Sequence, residues 1–454
     1  MENRLLGAGL RRCAGLWLAA AWLTWCAAPC AVAQDSLDSL VSAPNPSHAV
    51  KGRMLPDRLP DKPSQPPLFT IPIEPLGFSA PGPLYLGQRN SFVSLDFLNE
   101  NRLLLTFRVP GLLRREPGEE NGSDERQIRA VVLALPEGKV EAEALWTVHD
   151  RARYLWVLKD GRFLLRDREN LELGDATLEL KPFLRFPGPL AWMEMDPTQQ
   201  FLVTNSREPE AAAQKPGVVP SPFTASASMT VDGQKPDGQP EMVVRILRRD
   251  SGQVMLVSRA RSVVHLPINA EGYLESLRGR GNGWLLNLKY FSGGSAILGQ
   301  VESSCSPLLD FLSQREVLVT ACLSTGANKL VAMSTDGRRL WEAQTSDTTV
   351  WPMVVRAPDG SRLVREALAV SHAVNAYAPL DREDIKGQLV EVLDAADGKV
   401  ELEAAASPAL DGGGNVAISP SGRRVAVLAA GAIQVFELPA PPPLPEPAAS
   451  KPSH

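Results

Sequence analysis

One hairpin pattern recurs along this chain and constrains the fold more than any other feature. Residues 95–106 read LDFLNENRLLLT and residues 309–320 read LDFLSQREVLVT, sharing four identical residues, a polar tetrapeptide, three aliphatic residues and a threonine. Weaker copies read WMEMDPTQQFLVT, MVVRAPDGSRLV and VAISPSGRRVAV, beginning at Trp192, Met353 and Val416. Each copy predicts two apolar strands joined by a polar turn.

A second type of hairpin follows most copies of the first. It reads VVLALPEGKVEAEALW, VRILRRDSGQVMLVSR, LVAMSTDGRRLWEA and LVEVLDAADGKVELEA, with a glycine at each turn, where a positive φ favours glycine. These glycines are Gly138, Gly252, Gly337 and Gly398. Two hairpins make four strands, and the two closest copies lie about 214 residues apart. Allowing about 35 residues for one long loop, this distance corresponds to four steps of roughly 45 residues, which is typical of a propeller blade.

The repeat therefore predicts an all-β chain, a seven-bladed β-propeller of four-stranded antiparallel blades. The blades are expected at about 90–150, 151–188, 189–260, 261–303, 304–346, 347–407 and 413–437. The last of these has only three strands before a proline-rich tail. The sequence LFTIPIEPL, residues 68–76, alternates apolar and polar residues, and Pro72 suits an outermost strand because it cannot donate to a ladder. We expect this N-terminal strand to close the ring beside residues 432–437.

The repeat resembles WD40-like and quinoprotein-like propellers over most of residues 68–439. The outer hairpins are similar to the quinoprotein-type docking motif, most clearly at residues 332–341, whereas the Trp-Asp dipeptide of true WD40 blades is absent. The resemblance implies the fold and leaves the function open. Quinoprotein dehydrogenases have eight blades and a vicinal cysteine pair, and this chain has neither feature in its sequence, so no cofactor is expected.

Four regions are expected along the chain. Residues 1–33 have arginines, a short apolar run and AVA before Gln34, which predicts a secretory signal peptide cleaved between Ala33 and Gln34. The alternative is an uncleaved anchor, although the apolar run is shorter than the roughly 20 residues of a membrane span. A proline-rich disordered linker is expected over residues 34–67, and a proline-rich disordered tail over residues 440–454. The propeller is expected over residues 68–439, with a surface loop at about 207–240.

Two cysteines remain after cleavage, Cys305 and Cys322, on the first two predicted strands of the fifth blade. An exported chain with two cysteines favours a disulfide, and two free buried thiols are the alternative. The expected location is secreted or periplasmic.

No catalytic or metal-binding motif is found in the sequence. A G-x-S-x-G elbow, a phosphate loop and an H-E-x-x-H motif are all lacking, and the five histidines are scattered. Acidic residues in turns are read as turn formers, so no catalytic, cofactor or metal residue is predicted. The formal net charge of −5 gives no electrostatic reason to bind nucleic acid or an anionic membrane.

The remaining candidates are three residues near the starts of innermost strands: Trp192, His265 and Trp351. They predict a rim that binds a protein partner, or else they pack between blades. The sequence thus favours an exported, monomeric, non-catalytic protein-binding or scaffold propeller. The alternative is a propeller enzyme, a quinoprotein-like oxidoreductase or a hydrolase, with its site at the central channel.

Overall fold

Seven antiparallel blades form the ring, as the repeat predicts, in a computed structural model of the chain. The structure describes residues 52–81, 91–111, 114–115, 124–149, 153–208, 241–373, 380–410 and 412–440. The predicted signal peptide, its cleavage site and the tail from residue 441 lie outside these residues. The described part contains no helix with the length and hydropathy that a membrane span requires.

The first three blades follow the predicted order and boundaries. Blade 1 comprises β3 (Ser94–Asn99), β4 (Arg102–Arg108), β6 (Asp124–Ala134) and β7 (Lys139–Val148), with a short β5 (Arg114–Arg115) paired to β6. Blade 2 comprises β8 (Leu155–Val157), β9 (Phe163–Asp167), β10 (Asn170–Gly174) and β11 (Lys181–Arg185). Blade 3 comprises β12 (Leu190–Met195), β13 (Phe201–Glu208), β14 (Glu241–Arg248) and β15 (Val254–Ala260). The predicted loop at about 207–240 thus joins β13 to β14, and residues 209–240 lie outside the described residues.

Blade 4 is the least regular. It comprises β16 (Gly272–Arg278), β17 (Gly283–Tyr290) and β18 (Ser295–Glu302). Its innermost segment, residues 264–269, pairs with β16 only through the Ile268–Tyr273 bridge and hydrogen bonds at Pro267 and Asn269. Pro267 has no N–H group to donate, so a regular ladder cannot form there.

The remaining blades complete the ring. Blade 5 comprises β19 (Leu308–Phe311), β20 (Glu316–Cys322), β21 (Asn328–Ser334) and β22 (Arg339–Gln344). Blade 6 comprises β23 (Thr349–Arg356), β24 (Arg362–Val370), β25 (Ile385–Asp394) and β26 (Val400–Ala406). Blade 7 comprises β27 (Val416–Ile418), β28 (Arg424–Ala429), β29 (Ala432–Glu437) and, as its outermost strand, β2 (Phe69–Pro72) from the N-terminal side.

The predicted closure of the ring is confirmed. β2 runs antiparallel to β29, with Phe69 opposite Val435 and Pro72 opposite Ala432. Pro72 stands on the outermost strand, where its missing N–H group costs no ladder bond. Blade 7 is therefore built from both ends of the propeller sequence, which prevents the ring from opening without breaking a sheet.

A segment that we name the outer belt, residues 52–76, passes along the outer strands of blades 5, 6 and 7. β1 (Arg53–Met54) runs parallel to β22, Leu55 is buried between blades 5 and 6, and the Ser64 N–H group donates to the Glu403 carbonyl at 2.9 Å. This differs from the expectation of a disordered linker over residues 34–67, because β1 pairs with the outer edge of blade 5 and Ser64 forms hydrogen bonds with Glu403 of blade 6. Residues 34–51 lie outside the described residues.

The core is divided into seven buried hydrophobic clusters, one between each pair of neighbouring blades. Four tryptophans are buried in or beside these clusters: Trp146, Trp156, Trp284 and Trp341. Trp341 also donates from Nε1 to the Ala395 carbonyl of blade 6 at 2.8 Å. Each blade is thus stabilised mainly by its two neighbours, as in other repeat architectures.

The four turn glycines have positive φ values, as the sequence predicts. Each also lies against the outermost strand of the preceding blade, so that an added Cβ atom would stand 2.5–2.8 Å from Ile71, Leu184, Leu298 or Trp341. Two features therefore favour glycine at these positions: the positive φ value and the lack of space for a Cβ atom.

Candidate functional site in the central channel

In six blades one charged residue lies toward the centre of the ring, either on the innermost strand or, for Arg153 and His265, in an innermost segment outside a regular strand. Blades 1, 3 and 5 carry acids and blades 2, 4 and 6 carry bases, in this order: Asp96, Arg153, Glu194, His265, Asp310 and Arg356. The innermost strand of blade 7, Val416–Ile418, carries no charge. Side chains of successive strand residues point to opposite sides of the strand. The side chain of an acid between two buried apolar residues therefore points away from the apolar core and toward the channel. The channel is therefore lined by alternating charges.

His265 is held between the acids of the two neighbouring blades. Its Nδ1 lies 2.6 Å from Glu194 Oε2, and its Nε2 lies 2.9 Å from the Leu309 carbonyl and 3.8 Å from Asp310 Oδ1. Burial disfavours the charged ring, but the charges of Glu194 and Asp310 outweigh it and raise the pKa of His265 to about 10. His265 is therefore an imidazolium at neutral pH, with both nitrogens donating, and it cannot accept a proton there.

Arg356 crosses the channel from blade 6. Its guanidinium donates from Nη2 to the Met195 carbonyl of blade 3 at 3.0 Å and from Nη1 to the Phe311 carbonyl of blade 5. Burial lowers the pKa of Arg356, while Asp310, Asp196 and Glu194 oppose that shift. These contacts fix the side chain near the first-to-second strand turns and link three blades across the ring.

A second polar link lies beside Arg356. Gln314 of blade 5 donates from Nε2 to Asp196 Oδ2 of blade 3 at 3.3 Å, and the backbone carbonyl of Gln314 accepts from Asn269 Nδ2 of blade 4 at 3.0 Å. Together with Arg356, these side chains cross the channel at the end where the first-to-second strand turns lie. We call this end the bottom face and the opposite end, where the innermost strands begin, the top face.

Two carboxyl groups near Arg153 have pKa values close to neutrality. Asp96 accepts a hydrogen bond from Ser94 Oγ at 2.5 Å, and burial raises its pKa to about 6 against the opposing charge of Arg153. Glu366 on β24 is 1 % exposed, and burial raises its pKa to about 8. Gln388 Nε2 donates to Glu366 Oε2 at 2.7 Å, and the other oxygen, Oε1, has no hydrogen-bond partner in the described part of the chain.

Carboxyl groups of this kind are candidates for proton transfer, because their pKa values fall near physiological pH. Arg153 can hold an anion beside them: it is exposed within the channel, donates from Nε to the Leu155 carbonyl at 3.1 Å and lies 5.4 Å from the ring of Trp156. Across the described ranges, no group of three or more histidine, cysteine, aspartate or glutamate side chains is arranged to hold a metal ion.

The structure brings two of the three predicted rim residues to the channel wall. Trp192 and His265 lie on the innermost segments of blades 3 and 4; Trp192 is half-buried, and its Nε1 has no partner among the described residues. Trp351 lies on β23, and its side chain is outside the described residues. Cys305 and Cys322 are joined in a disulfide with their Cα atoms 5.5 Å apart, near the top of blade 5.

The charged lining was not predicted from the sequence, although the repeat contains a sign of it. Asp96, Glu194 and Asp310 each stand ten residues before the threonine that ends the hairpin, namely Thr106, Thr204 and Thr320. An acid at one position of three copies, inside an otherwise apolar strand, indicates a shared role. The basic partners have no such common position in the repeat, and only the closed ring brings them beside the acids.

No protein-family model and no curated protein matches this sequence. Solved structures that resemble the fold include the acylaminoacyl peptidase of Pyrococcus horikoshii, with a TM-score of 0.43, 11 % identity, and coverage of 75 % of this chain and 50 % of that chain. The β-propeller domain of the Trilobed protease from Pyrococcus furiosus has a TM-score of 0.39 and 9 % identity, covering 74 % and 89 % of the two chains. A putative TolB from Agrobacterium tumefaciens has a TM-score of 0.36 and 13 % identity, covering 65 % and 94 %. This chain thus spans half the length of the peptidase, and at these TM-scores the likenesses establish neither a family nor a function.

Proposed function

We propose that this protein is an exported, non-catalytic propeller that binds a protein partner through the top face of its ring. The observation that carries the proposal is where the longest connections between strands begin and end. In blades 1, 3 and 6 the second strand is followed by a long connection: Arg108 to Asp124, Glu208 to Glu241, and Val370 to Ile385. The antiparallel order of the strands puts the described ends of all three connections at the top face.

The bottom face is different. Its first-to-second strand connections are short, as between Asn99 and Arg102 or between Phe311 and Glu316. Loops that vary on a rigid scaffold are where binding surfaces are usually found, so the contrast in length favours the top face. Within the channel, His265 pairs with Glu194 and Arg356 is held by two backbone carbonyls, contacts that suit a rigid scaffold.

Leu308 supplies a matched test of this surface. It begins the innermost strand of blade 5 at the top of the channel and is 44 % exposed, whereas Ile297 on the outermost strand of blade 4 is 50 % exposed. Immobilised protein is incubated with an envelope extract, and captured proteins are quantified by mass spectrometry. Leu308→Lys, and replacement of residues 209–240 by a short Gly-Ser linker, should each reduce capture, while Ile297→Lys should not. Equal loss in all three variants, or no capture above that of an unrelated propeller, contradicts the proposal.

Export is tested separately. Intact-mass measurement of protein from the producing cell should show a chain that begins at Gln34, without residues 1–33. A chain that keeps these residues in the membrane fraction contradicts export.

A second candidate function is hydrolysis in the channel. Burial raises the pKa of Asp96 to about 6 and that of Glu366 to about 8, and both carboxyl groups interact with the charge of Arg153, so either could donate or accept a proton there. A screen of ester and peptide substrates with wild-type protein, Asp96→Asn and the exposed-turn control Asp336→Asn tests it. Turnover that Asp96→Asn abolishes and Asp336→Asn leaves intact would establish this function in place of a non-catalytic role.

A further inference from the structure

A pocket of about 500 Å³ opens beside blade 6, where the chain passes on to blade 7. One wall is the end of β26 and the connection after it, and another is the start of β25 with the short 3-10 turn before it. The third wall comes from the outer belt and the segment that leads to blade 1. The lining residues are Leu59, Ala80, Pro81, Ser91, Arg382, Ile385, Lys386, Gly387, Gln388, Ala405, Ala406, Ser407, Pro408, Ala409 and Leu410.

Arg382 and Lys386 are the only charged residues in this lining, and both are exposed. In the described part of the chain neither has a carboxylate within 4.0 Å. Asp384, from the same segment, is directed elsewhere: it lies 3.5 Å from both His372 Nδ1 and Ser371 Oγ. Most other lining residues are alanine, proline, leucine or isoleucine. Among the described residues, the pocket therefore presents two positive charges without a carboxylate partner, beside a mainly apolar wall.

The floor of the pocket is fixed by Gln388, which is 1 % exposed. Its Oε1 accepts from the Leu410 N–H group at 2.8 Å and from Asn415 Nδ2 at 2.7 Å, and its Nε2 donates to Glu366. One side chain thus ties β24, β25 and the connection to blade 7 together. A pocket held in this way needs little ordering when a ligand enters, which reduces the free-energy cost of binding.

We propose that this pocket binds an organic carboxylate with a short apolar body. The carboxylate pairs with Arg382 and Lys386, and the apolar body lies against the alanine and proline wall. Guanidinium–carboxylate hydrogen bonds are among the strongest polar contacts in proteins, and 500 Å³ falls within the range of small-molecule sites. The carboxylate belongs either to a free aliphatic acid or to the C-terminal residue of a polypeptide. This site does not depend on capture of a partner by the top face.

Ligand-observed NMR titrations distinguish these sources. The probes are hexanoate, hexan-1-ol, and N-acetyl-alanyl-leucine with either a free or an amidated C-terminus. At least one of the two acids should bind with a Kd of about 1 mM or tighter, and its neutral counterpart should bind about tenfold more weakly or worse. The acid that binds more tightly identifies the source.

Two variants locate the binding. Arg382→Gln combined with Lys386→Gln should weaken acid binding by about tenfold or more, and Ala409→Phe should abolish it by filling the pocket. The control, Lys181→Gln combined with Arg261→Gln, removes the same charge from elsewhere on the ring and should bind as wild type does. Circular dichroism verifies that each variant is folded. The proposal is overturned when neither acid binds below about 10 mM, when the neutral probes bind equally well, or when the pocket variants bind as tightly as the control.

Discussion

Glu366 gives the sharpest test of the buried carboxyl groups near Arg153. It is 1 % exposed on β24, and burial raises its pKa from 4.5 to about 8, with Arg153 opposing the shift. In the unfolded chain the same carboxyl group ionises near its ordinary pKa. Between about pH 4.5 and pH 8 the folded state therefore keeps a proton that the unfolded state has lost, so the free energy of unfolding falls as the pH rises through this window.

The size of the effect follows from the shift itself. One pKa unit corresponds to about 1.36 kcal/mol, so a group with this shift lowers the free energy of unfolding by up to about 5 kcal/mol between pH 4.5 and pH 8. Glu366→Gln keeps the shape and an acceptor for Gln388 but cannot ionise. The stability of the variant relative to wild type should therefore rise with pH by several kcal/mol over this range.

Urea unfolding followed by tryptophan fluorescence at pH 5, 6, 7, 8 and 9 measures this difference. Asp96 and Asp310, with pKa values raised to about 6, and His265, raised to about 10, also make stability fall with rising pH. Their contributions are common to both proteins and cancel in the difference. Glu437→Gln, at an exposed position on blade 7, controls for the substitution. A constant difference between Glu366→Gln and wild type from pH 5 to pH 9 would refute the reasoning, because it would show that the carboxylate is solvated in the folded ring.

Three further outcomes are expected. Gly398→Ala should lower the free energy of unfolding in urea by about 1–3 kcal/mol more than Gly281→Ala does, because both glycines have φ near +65° but only at Gly398 would an added Cβ atom stand 2.6 Å from an indole ring. Equal losses in the two variants would show that backbone strain alone matters. Removing the outer belt should lower the urea midpoint markedly, whereas removing only the residues before it should not, and equal midpoints would show that the belt is dispensable. In denatured, unreduced protein without the predicted signal peptide, Cys305 and Cys322 should not react with a thiol reagent until a reductant is added; two reactive thiols per chain would exclude the disulfide.

The sequence predicts the ring and its closure because these depend on local patterns. A hairpin that repeats with a turn between two apolar runs specifies two strands wherever it occurs, and four strands per repeat specify a blade. The missing fourth strand of blade 7 and the lone strand at residues 69–72 then leave one way to close the ring. The strand pairing of Phe69 with Val435 agrees with this inference.

The channel and the belt could not be predicted in the same way. The contacts of Arg356 with the carbonyls of Met195 and Phe311 join three blades that are far apart in sequence, so no local pattern contains them. The belt is rich in proline and polar residues, a composition that is also typical of disordered chains. Only the presence of an open strand edge on blade 5 and a cavity for Leu55 between blades distinguishes it from a linker.

Because the ring has seven blades, charges of opposite sign cannot alternate around the whole channel. Signs can alternate all the way round a ring only when the number of members is even. With seven blades, a charge on every innermost strand would set two like charges side by side in the poorly solvated centre. Blade 7, which carries no charge on Val416–Ile418, separates Arg356 of blade 6 from Asp96 of blade 1 and removes this conflict.

The same arrangement disfavours incorrect assembly of the ring. Glu194 meets His265 across a blade boundary, and Asp310 lies beside Arg356 across another, so a blade that docks out of order leaves a charge without its partner. A partly buried charge that loses its partner is solvated less well than in water, so such a displacement costs free energy. Apolar contacts between blades are much less selective, because many aliphatic pairings fill the same space at similar free energy. Pairs such as Glu194–His265 therefore favour the native order of neighbouring blades, while the seven apolar clusters supply most of the free energy that holds the blades together.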